Sequence, residues 1–213
     1  MGILRRAALV LLPSSIALAL PGQAVAQIAP TMSGTSSLIT TQNTQAFLDL
    51  ADFGRCFVRS SPTGAIALIG MAPGSEEENQ FFRRMVSREL GCMAEGTTFN
   101  VSDAYIRGVI AEAMLTRGVS LPSSLVLPAP TVGEVRGLHD VARCYASGHR
   151  SQVQALLATH LGSAEESAAV SALWNDFRAC LPPNARVRLN APWIRFLLAE
   201  AMLRLPRVAA SPS

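Results

Sequence analysis

The chain has 213 residues, of which 49% are apolar and 15% are charged, and its formal net charge is +3. All 18 basic residues are arginines, and without Arg5 and Arg6 near the start the remaining 16 face 15 acidic residues. A nucleic-acid-binding domain normally carries a clear excess of basic residues, so this near-neutral balance argues against nucleic acid as a partner.

Residues 1–26 have the pattern of a secretory signal peptide. Arg5 and Arg6 form a charged start, an apolar stretch follows, and Ala24-Val25-Ala26 offers small residues for cleavage. The apolar stretch, Ala7 to Leu20, has 14 residues, whereas a membrane-spanning helix takes about 20. The sequence therefore predicts a periplasmic or secreted protein with no stable transmembrane span after cleavage.

The chain repeats itself at a spacing of 88 residues. Residues 50–117 (the first segment) align without a gap on residues 138–205 (the second segment), and 18 of the 68 aligned positions are identical. An internal repeat indicates that one structural unit has been copied. Strand patterns are weak, with no sustained alternation of apolar and polar residues. We therefore predict an all-α fold made of two tandem copies of a four-helix unit.

The same pattern divides the whole chain. The predicted parts are a signal peptide (1–26), a flexible leader (27–43), a first helical repeat (44–117), a Pro-rich linker (118–130), a second helical repeat (131–207) and a disordered tail (208–213).

The first two helices of each unit are predicted from caps and from apolar residues spaced three and four apart. The first helix begins near Thr44, and its counterpart begins at Thr131, where Glu134 completes a capping box. The second helix covers about 63–71, or 152–160 in the other copy. Gly74 and Gly162 follow, where a left-handed backbone costs little.

The third and fourth helices are predicted from their caps. Ser75-Glu76-Glu77-Glu78 and Ser163-Ala164-Glu165-Glu166 are both capping boxes with acids in the first turn, where the helix dipole favours negative charge. Each third helix ends at a cysteine, and a capping Ser102 or Asn190 begins the fourth helix.

Four cysteines in an exported protein predict disulfides, because the compartment is oxidising. Four cysteines allow three pairings, and Cys56–Cys92 with Cys144–Cys180 is the one that makes both copies alike. Closing loops of this size stabilises each unit by about 4 kcal/mol in the chain-entropy model. A redox-sensing or redox-buffering role is an alternative, and it predicts disulfides that are easily reduced.

Eight charged residues occupy equivalent positions in the two segments, apart from the capping acids. They are Asp52, Arg55, Arg107, Glu112, Asp140, Arg143, Arg195 and Glu200. One interpretation is that they line a pseudo-symmetric ligand cleft. We favour the other, in which they join the first and fourth helices of each copy as partly buried ion pairs, which need good geometry to be favourable.

The sequence contains little that indicates catalysis. The three histidines, His139, His149 and His160, occur only in the second segment and lack the spacing of a metal site. Nucleophile-elbow, phosphate-loop and dinucleotide motifs are absent. We predict no metal, no cofactor and no catalytic residues. The alternative is a hydrolase of envelope material whose site combines His139, His149 and Asp176.

Four short patterns shared by the two segments carry a family resemblance. They are Arg-Cys followed by Phe57 or Tyr145, Gly-Ser-x-Glu-Glu from Gly74 or Gly162, Cys followed by Met93 or Leu181, and Arg-x3-Ala-Glu-Ala from Arg107 or Arg195. In these the chain resembles a group of exported, cysteine-containing helical repeat proteins of sphingomonad-type alphaproteobacteria. The resemblance implies no particular activity.

The functional expectation is a binding module. The caps, cysteines, core residues and ion pairs that the segments share are features of a scaffold and not of an active site. We therefore expect a non-catalytic exported protein that binds a partner or interacts with the cell envelope, with an envelope protein or a small ligand as its partner.

Overall fold

The computed structural model describes residues 41–88, 90–92 and 103–207, and within these ranges all regular structure is helical, with eight α-helices and three single 3-10 turns. The all-α prediction is confirmed. The helices are α1 (Thr41–Ser60), α2 (Pro62–Gly70), α3 (Glu76–Arg88), α4 (Asp103–Thr116), α5 (Leu138–Gly148), α6 (Arg150–Leu157), α7 (Ala164–Ala179) and α8 (Ala191–Arg204). The predicted signal peptide, most of the leader, the cap Ser102 and the tail 208–213 lie outside the described residues.

The caps of α3 and α7 form as the sequence predicts, with one difference. Ser75 Oγ accepts the N–H of Glu78 at 3.2 Å, and Ser163 Oγ accepts that of Glu166 at 3.1 Å. The two glutamates reach back one residue further than in a capping box and accept the N–H groups of Gly74 and Gly162. Both glycines have positive φ, +74° and +78°, because the chain turns sharply there between two helices.

Three predicted helix boundaries differ from the observed ones. Glu134 Oε2 accepts the N–H of Thr131 at 2.8 Å, but this box holds only the 3-10 turn Val132–Glu134. Helix α5 begins at Leu138, after an extended Gly137. The second helices also end before the predicted 71 and 160, at Gly70 and Leu157.

Helices α4 and α8 pack against each other at the centre of the fold. Eleven of the 14 residues of α8 are buried, as expected of a helix surrounded by others. Helix α8 also contacts α5, α6 and α7, while α4 contacts α1 and α2. At their crossing, a Cβ on Gly108 would lie 2.2 Å from Cβ of Phe196, so glycine is what permits the close approach. The buried apolar residues of both segments form one core.

Each segment contains one disulfide. Cys56 of α1 is bonded to Cys92, and Cys144 of α5 is bonded to Cys180 at the end of α7, with Cα–Cα distances of 5.5 and 6.0 Å. This is the pairing that the repeat favours. Disulfides are typical of proteins from an oxidising, extracellular environment. Among the described helices, none has both the length and the apolar character needed to cross a membrane.

The linker between the segments packs on the helices. Val119 and Leu121 lie against the core, Leu125 contacts Gly70 at the end of α2, and Leu127 N–H donates to Arg204 O at 2.8 Å. This path places residues 70–73, Leu127 and the end of α8 side by side, and these elements form a wall of the cavity described below.

Candidate functional site

Arg107 of α4 is completely buried and bonded on all sides. Its guanidinium donates two hydrogen bonds of 2.8 Å to Glu200 of α8 and one of 2.7 Å to Glu78 of α3. It also donates to the carbonyls of Leu68, Ile69 and Met71 at the end of α2. A single side chain therefore joins three helices and the α2–α3 turn.

Arg195 of α8 repeats this arrangement 88 residues later. It donates to Glu112 of α4 at distances down to 2.7 Å and to Glu166 of α7 at 3.4 Å. Its remaining bonds go to the carbonyls of the residues equivalent to those around Arg107, namely Leu156, Leu157 and Thr159. The two arginines are thus crossed, since each pairs with the glutamate of the opposite fourth helix.

The partners predicted for the repeated charges are therefore wrong. Arg107 and Arg195 join the two fourth helices, instead of a first helix to a fourth helix. The remaining charges pair within one helix, Arg55 with Asp52 in α1 and Arg143 with Asp140 in α5. A spacing of three residues places each such pair on the same helix face.

Sequence reasoning missed Glu78 and Glu166 as members of the ion-pair networks. The sequence predicts them as cap residues, and the structure buries them, with exposed fractions of 3% and 0%. The signal available in the sequence was their identity in both segments alongside the arginines. Burial raises the pKa of Glu166, and the Gly162 N–H and Arg195 oppose this shift. At Glu200 burial also raises the pKa, but His139 and Arg107 outweigh it and hold this pKa below its usual range.

A cavity of about 270 Å³ opens beside Glu200, between the α2–α3 turn and helices α5 and α8. We call it the α5–α8 cavity. Its lining residues are Gly70, Met71, Ala72, Pro73, Leu127, His139, Asp140, Arg143, Leu197, Glu200, Ala201 and Arg204. Five of these twelve residues are charged or titratable, and all five lie on α5 and α8. The remaining residues, from the α2–α3 turn, the linker and α8, form the apolar part of the cavity.

A smaller cavity of about 90 Å³ lies at the equivalent place in the first segment. All its lining residues are equivalents of α5–α8 cavity residues: Ala51, Arg55, Val109, Glu112, Ala113 and Thr116. The arginine, the glutamate and one alanine are the same in the two cavities. Where the smaller cavity has Ala51 and Thr116, the α5–α8 cavity has His139 and Arg204. The two sites therefore differ chiefly in groups that can donate hydrogen bonds.

Arg204 is poorly satisfied within the α5–α8 cavity. Its one hydrogen bond to the described residues, from Nη1 to Glu200 Oε1, is long at 3.4 Å. Its buried Nε has no hydrogen-bond partner among the described residues. The carboxylates, in contrast, are occupied: Glu200 binds Arg107, and Asp140 accepts from Arg143 and from Arg136 N–H. Nδ1 of His139 lies 2.8 Å from Glu200 Oε2, although it is not aligned for a hydrogen bond.

The residues considered for a hydrolase site do not converge. His149 lies 3.8 Å from Asp176 and stacks on Tyr145, with ring centroids 4.4 Å apart. His139, however, is at the opposite end of α5, ten residues before His149, which is about 15 Å along the helix axis. His160 is exposed. Among the described residues, no group of three or more His, Cys, Asp or Glu side chains is placed to hold a metal ion.

Comparison with known proteins adds no relative: no family model, no curated protein and no solved structure matches the chain.

Proposed function

We propose that this chain is an exported, non-catalytic binding protein that holds a small ligand in the α5–α8 cavity. The observation that carries the proposal is the difference between the two equivalent cavities. The larger one combines an arginine with unused donors, Arg204, and a histidine, His139, where the smaller one has threonine and alanine. Pockets with apolar walls and a few convergent polar groups are the usual form of small-molecule sites.

We further propose that the fold is built from two tandem copies of a four-helix unit. The crossed arginines support this, because Arg107 and Arg195 lie 88 residues apart and use equivalent glutamates and carbonyls. In this view one copy retains the scaffold, and the other has acquired the ligand site.

Export is supported by two independent features. Residues 1–26 have the pattern of a signal peptide, and the two disulfides suit an oxidising compartment. We propose the periplasm or the extracellular medium as the location.

Binding is favoured over hydrolysis by the state of the carboxylates. A general base must be free to accept a proton from its substrate. Glu200 and Asp140 are both engaged by arginine side chains, so the cavity can hold a ligand more readily than it can abstract a proton.

Ligand-observed NMR on the oxidised protein tests the proposal, with a library of small amines, sugars, phosphates and carboxylates. The test variant is His139→Ala with Arg204→Thr, which gives the cavity the residues of its smaller equivalent. The control is His160→Ala with Arg186→Thr, the same substitutions at exposed positions. We expect at least one compound class to bind the wild type and the control and to lose binding in the test variant. No binding by any class, or equal binding by all three proteins, would overturn the proposal.

A further inference from the structure

From the α5–α8 cavity we infer the class of ligand: a small monocarboxylate with a short apolar body, its carboxylate held by Arg204 and Arg143. This inference rests on the proposed function and makes it more specific. It follows from which hydrogen-bonding groups of the cavity are unused, from the balance of charge and from the apolar walls.

The carboxylates of the cavity already accept hydrogen bonds, whereas its arginines have donors to spare. An arginine carries five N–H donors, and Arg204 uses one of them in a long bond while its Nε–H has no described partner. Within the described part of the chain, Arg143 makes one hydrogen bond, from Nη2 to Asp140. Both arginine side chains are nearly buried, with exposed fractions of 12% and 14%. Both side chains line the cavity, so a bound acceptor would partner those of their Nη–H groups that face it, whereas the buried Nε–H of Arg204 is closed to solvent and to a ligand.

Electrostatics around Arg204 favours a negatively charged acceptor. Burial, which outweighs the attraction of Glu200, lowers the pKa of Arg204, and the positive charges of Arg107 and Arg143 add to this shift. The guanidinium therefore lies in a place that is unfavourable for a cation. A carboxylate matches its planar fork with two parallel hydrogen bonds, and it would offset both the burial and the repulsion.

The charge balance indicates one negative charge and not two. Arg143 and Arg204 balance Asp140 and Glu200, and behind them Arg107 balances Glu78. A monoanion adds one negative charge to this balanced set. A phosphate dianion would add two, next to the buried Glu200.

The rest of the ligand is indicated by the apolar side of the cavity. Met71, Pro73, Leu127 and Leu197 line it, and they offer no polar side-chain groups for a sugar or a peptide. The volume of about 270 Å³ lies just below the range of about 300–1,000 Å³ typical of ligand pockets. A short aliphatic or aromatic body fits this space, whereas a long acyl chain does not.

Calorimetric titration with pentanoate tests the inference, and pentanamide, butylamine and inorganic phosphate serve as comparisons. We expect pentanoate to bind the wild type at least about 10-fold more tightly than pentanamide, which has the same shape without the charge. This comparison uses only the wild type, so it does not depend on a variant that folds. Tighter binding of phosphate, amine or amide would overturn the carboxylate inference and leave the proposed function standing.

Two variants place the carboxylate within the cavity. Arg204→Met should weaken pentanoate binding at least about 10-fold, because it removes the fork and keeps an apolar side chain of similar length. Arg55→Met, which replaces the exposed equivalent of Arg143 in the first segment, should leave binding unchanged. Circular dichroism and thermal melting confirm that each variant is folded. Equal loss in both folded variants, or no loss in either, would contradict the assigned position.

Discussion

Replacing Arg107 with methionine removes a guanidinium that donates six hydrogen bonds inside the protein. Methionine fills much of the same space, but Glu78 loses its arginine and Glu200 keeps only the long bond to Arg204 and the nearby His139. The carbonyls of Ile69 and Met71 lose their donor as well, while that of Leu68 keeps the N–H of Met71. The change therefore weakens the contact between α4 and α8, and at the same time it weakens the contacts of α4 with α2 and α3.

The expected loss of stability is large. Removing one partner of a buried ion pair costs about 3–5 kcal/mol, and each buried carbonyl left without a donor costs about 1–3 kcal/mol where water cannot reach it. A domain of ordinary stability has about 5–15 kcal/mol in total. We expect Arg107→Met to lower the free energy of unfolding by at least about 4 kcal/mol, which brings the protein close to unfolding.

Urea unfolding followed by far-UV circular dichroism measures this effect with the disulfides intact. The control is Arg55→Met, because Arg55 pairs with Asp52 on the surface and exposed pairs contribute about 0–1 kcal/mol. If Arg107→Met does not fold, Arg107→Lys keeps the charge without the fork and should be intermediate. Losses at Arg107 and Arg55 that agree within about 1 kcal/mol would refute the argument from burial.

Three further predictions concern the α4–α8 contact. Gly108→Ala should lower the melting temperature, because overpacking costs about 1–3 kcal/mol and the new Cβ would lie 2.2 Å from Phe196 Cβ. The control Gly148→Ala should leave the melting temperature unchanged, because a Cβ there has nothing within 4 Å. Equal effects of the two substitutions would contradict the packing argument. In urea unfolding, Glu200→Gln should lower the free energy of unfolding more than Glu112→Gln, because the exposed fractions of these two side chains are 3% and 23%. The reverse order would contradict this prediction. The pKa of Glu200 is lowered in the folded protein from an ordinary 4.5, so its contribution is present above that pH and is lost as the pH falls. The urea midpoint of unfolding should therefore fall less in Glu200→Gln than in the wild type when the pH is lowered from about 6 to about 3. An equal fall in the two proteins would contradict the prediction.

Much of the fold could be predicted because its signals are local or are repeated. The caps at Ser163 and Asn190 depend on residues three positions away, and both form. The disulfide pairing is not local, but the repeat reduces the three possible pairings to one. The false start at Thr131 shows the limit of local signals. The capping box forms there, but a box alone does not determine how many turns follow it.

The partners of the charged residues could not be predicted from the repeat. Arg107 and Glu112 recur as Arg195 and Glu200, and this recurrence is the same whether each arginine pairs within its own segment or with the other one. Only the crossing of α4 and α8 decides between the two, and that crossing depends on packing far apart in sequence.

The candidate site could be predicted only in part. The alternative interpretation of the repeated charges, a pseudo-symmetric cleft, includes Asp140, Arg143 and Glu200, which line the α5–α8 cavity, but it does not include His139 or Arg204. The α5–α8 cavity combines the α2–α3 turn, the linker and two helices of the second segment, which no sequence window contains. The difference between His139 and Ala51 was visible in the alignment, but sequence reasoning grouped His139 with His149 and Asp176. The second difference, between Arg204 and Thr116, is also present in the alignment, but only the structure shows that Arg204 lies beside Glu200 in the cavity.

The contact between Gly108 and Phe196 has a consequence for the identity of the two halves. These residues occupy equivalent positions, 88 apart, and each faces the other. Two first halves brought together would place glycine opposite glycine and leave a void, while two second halves would force two phenylalanines into space for one. Each half thus fits its counterpart and rejects a copy of itself. This asymmetry disfavours like-with-like assembly between neighbouring chains, and only the pairing of a first half with a second half satisfies it.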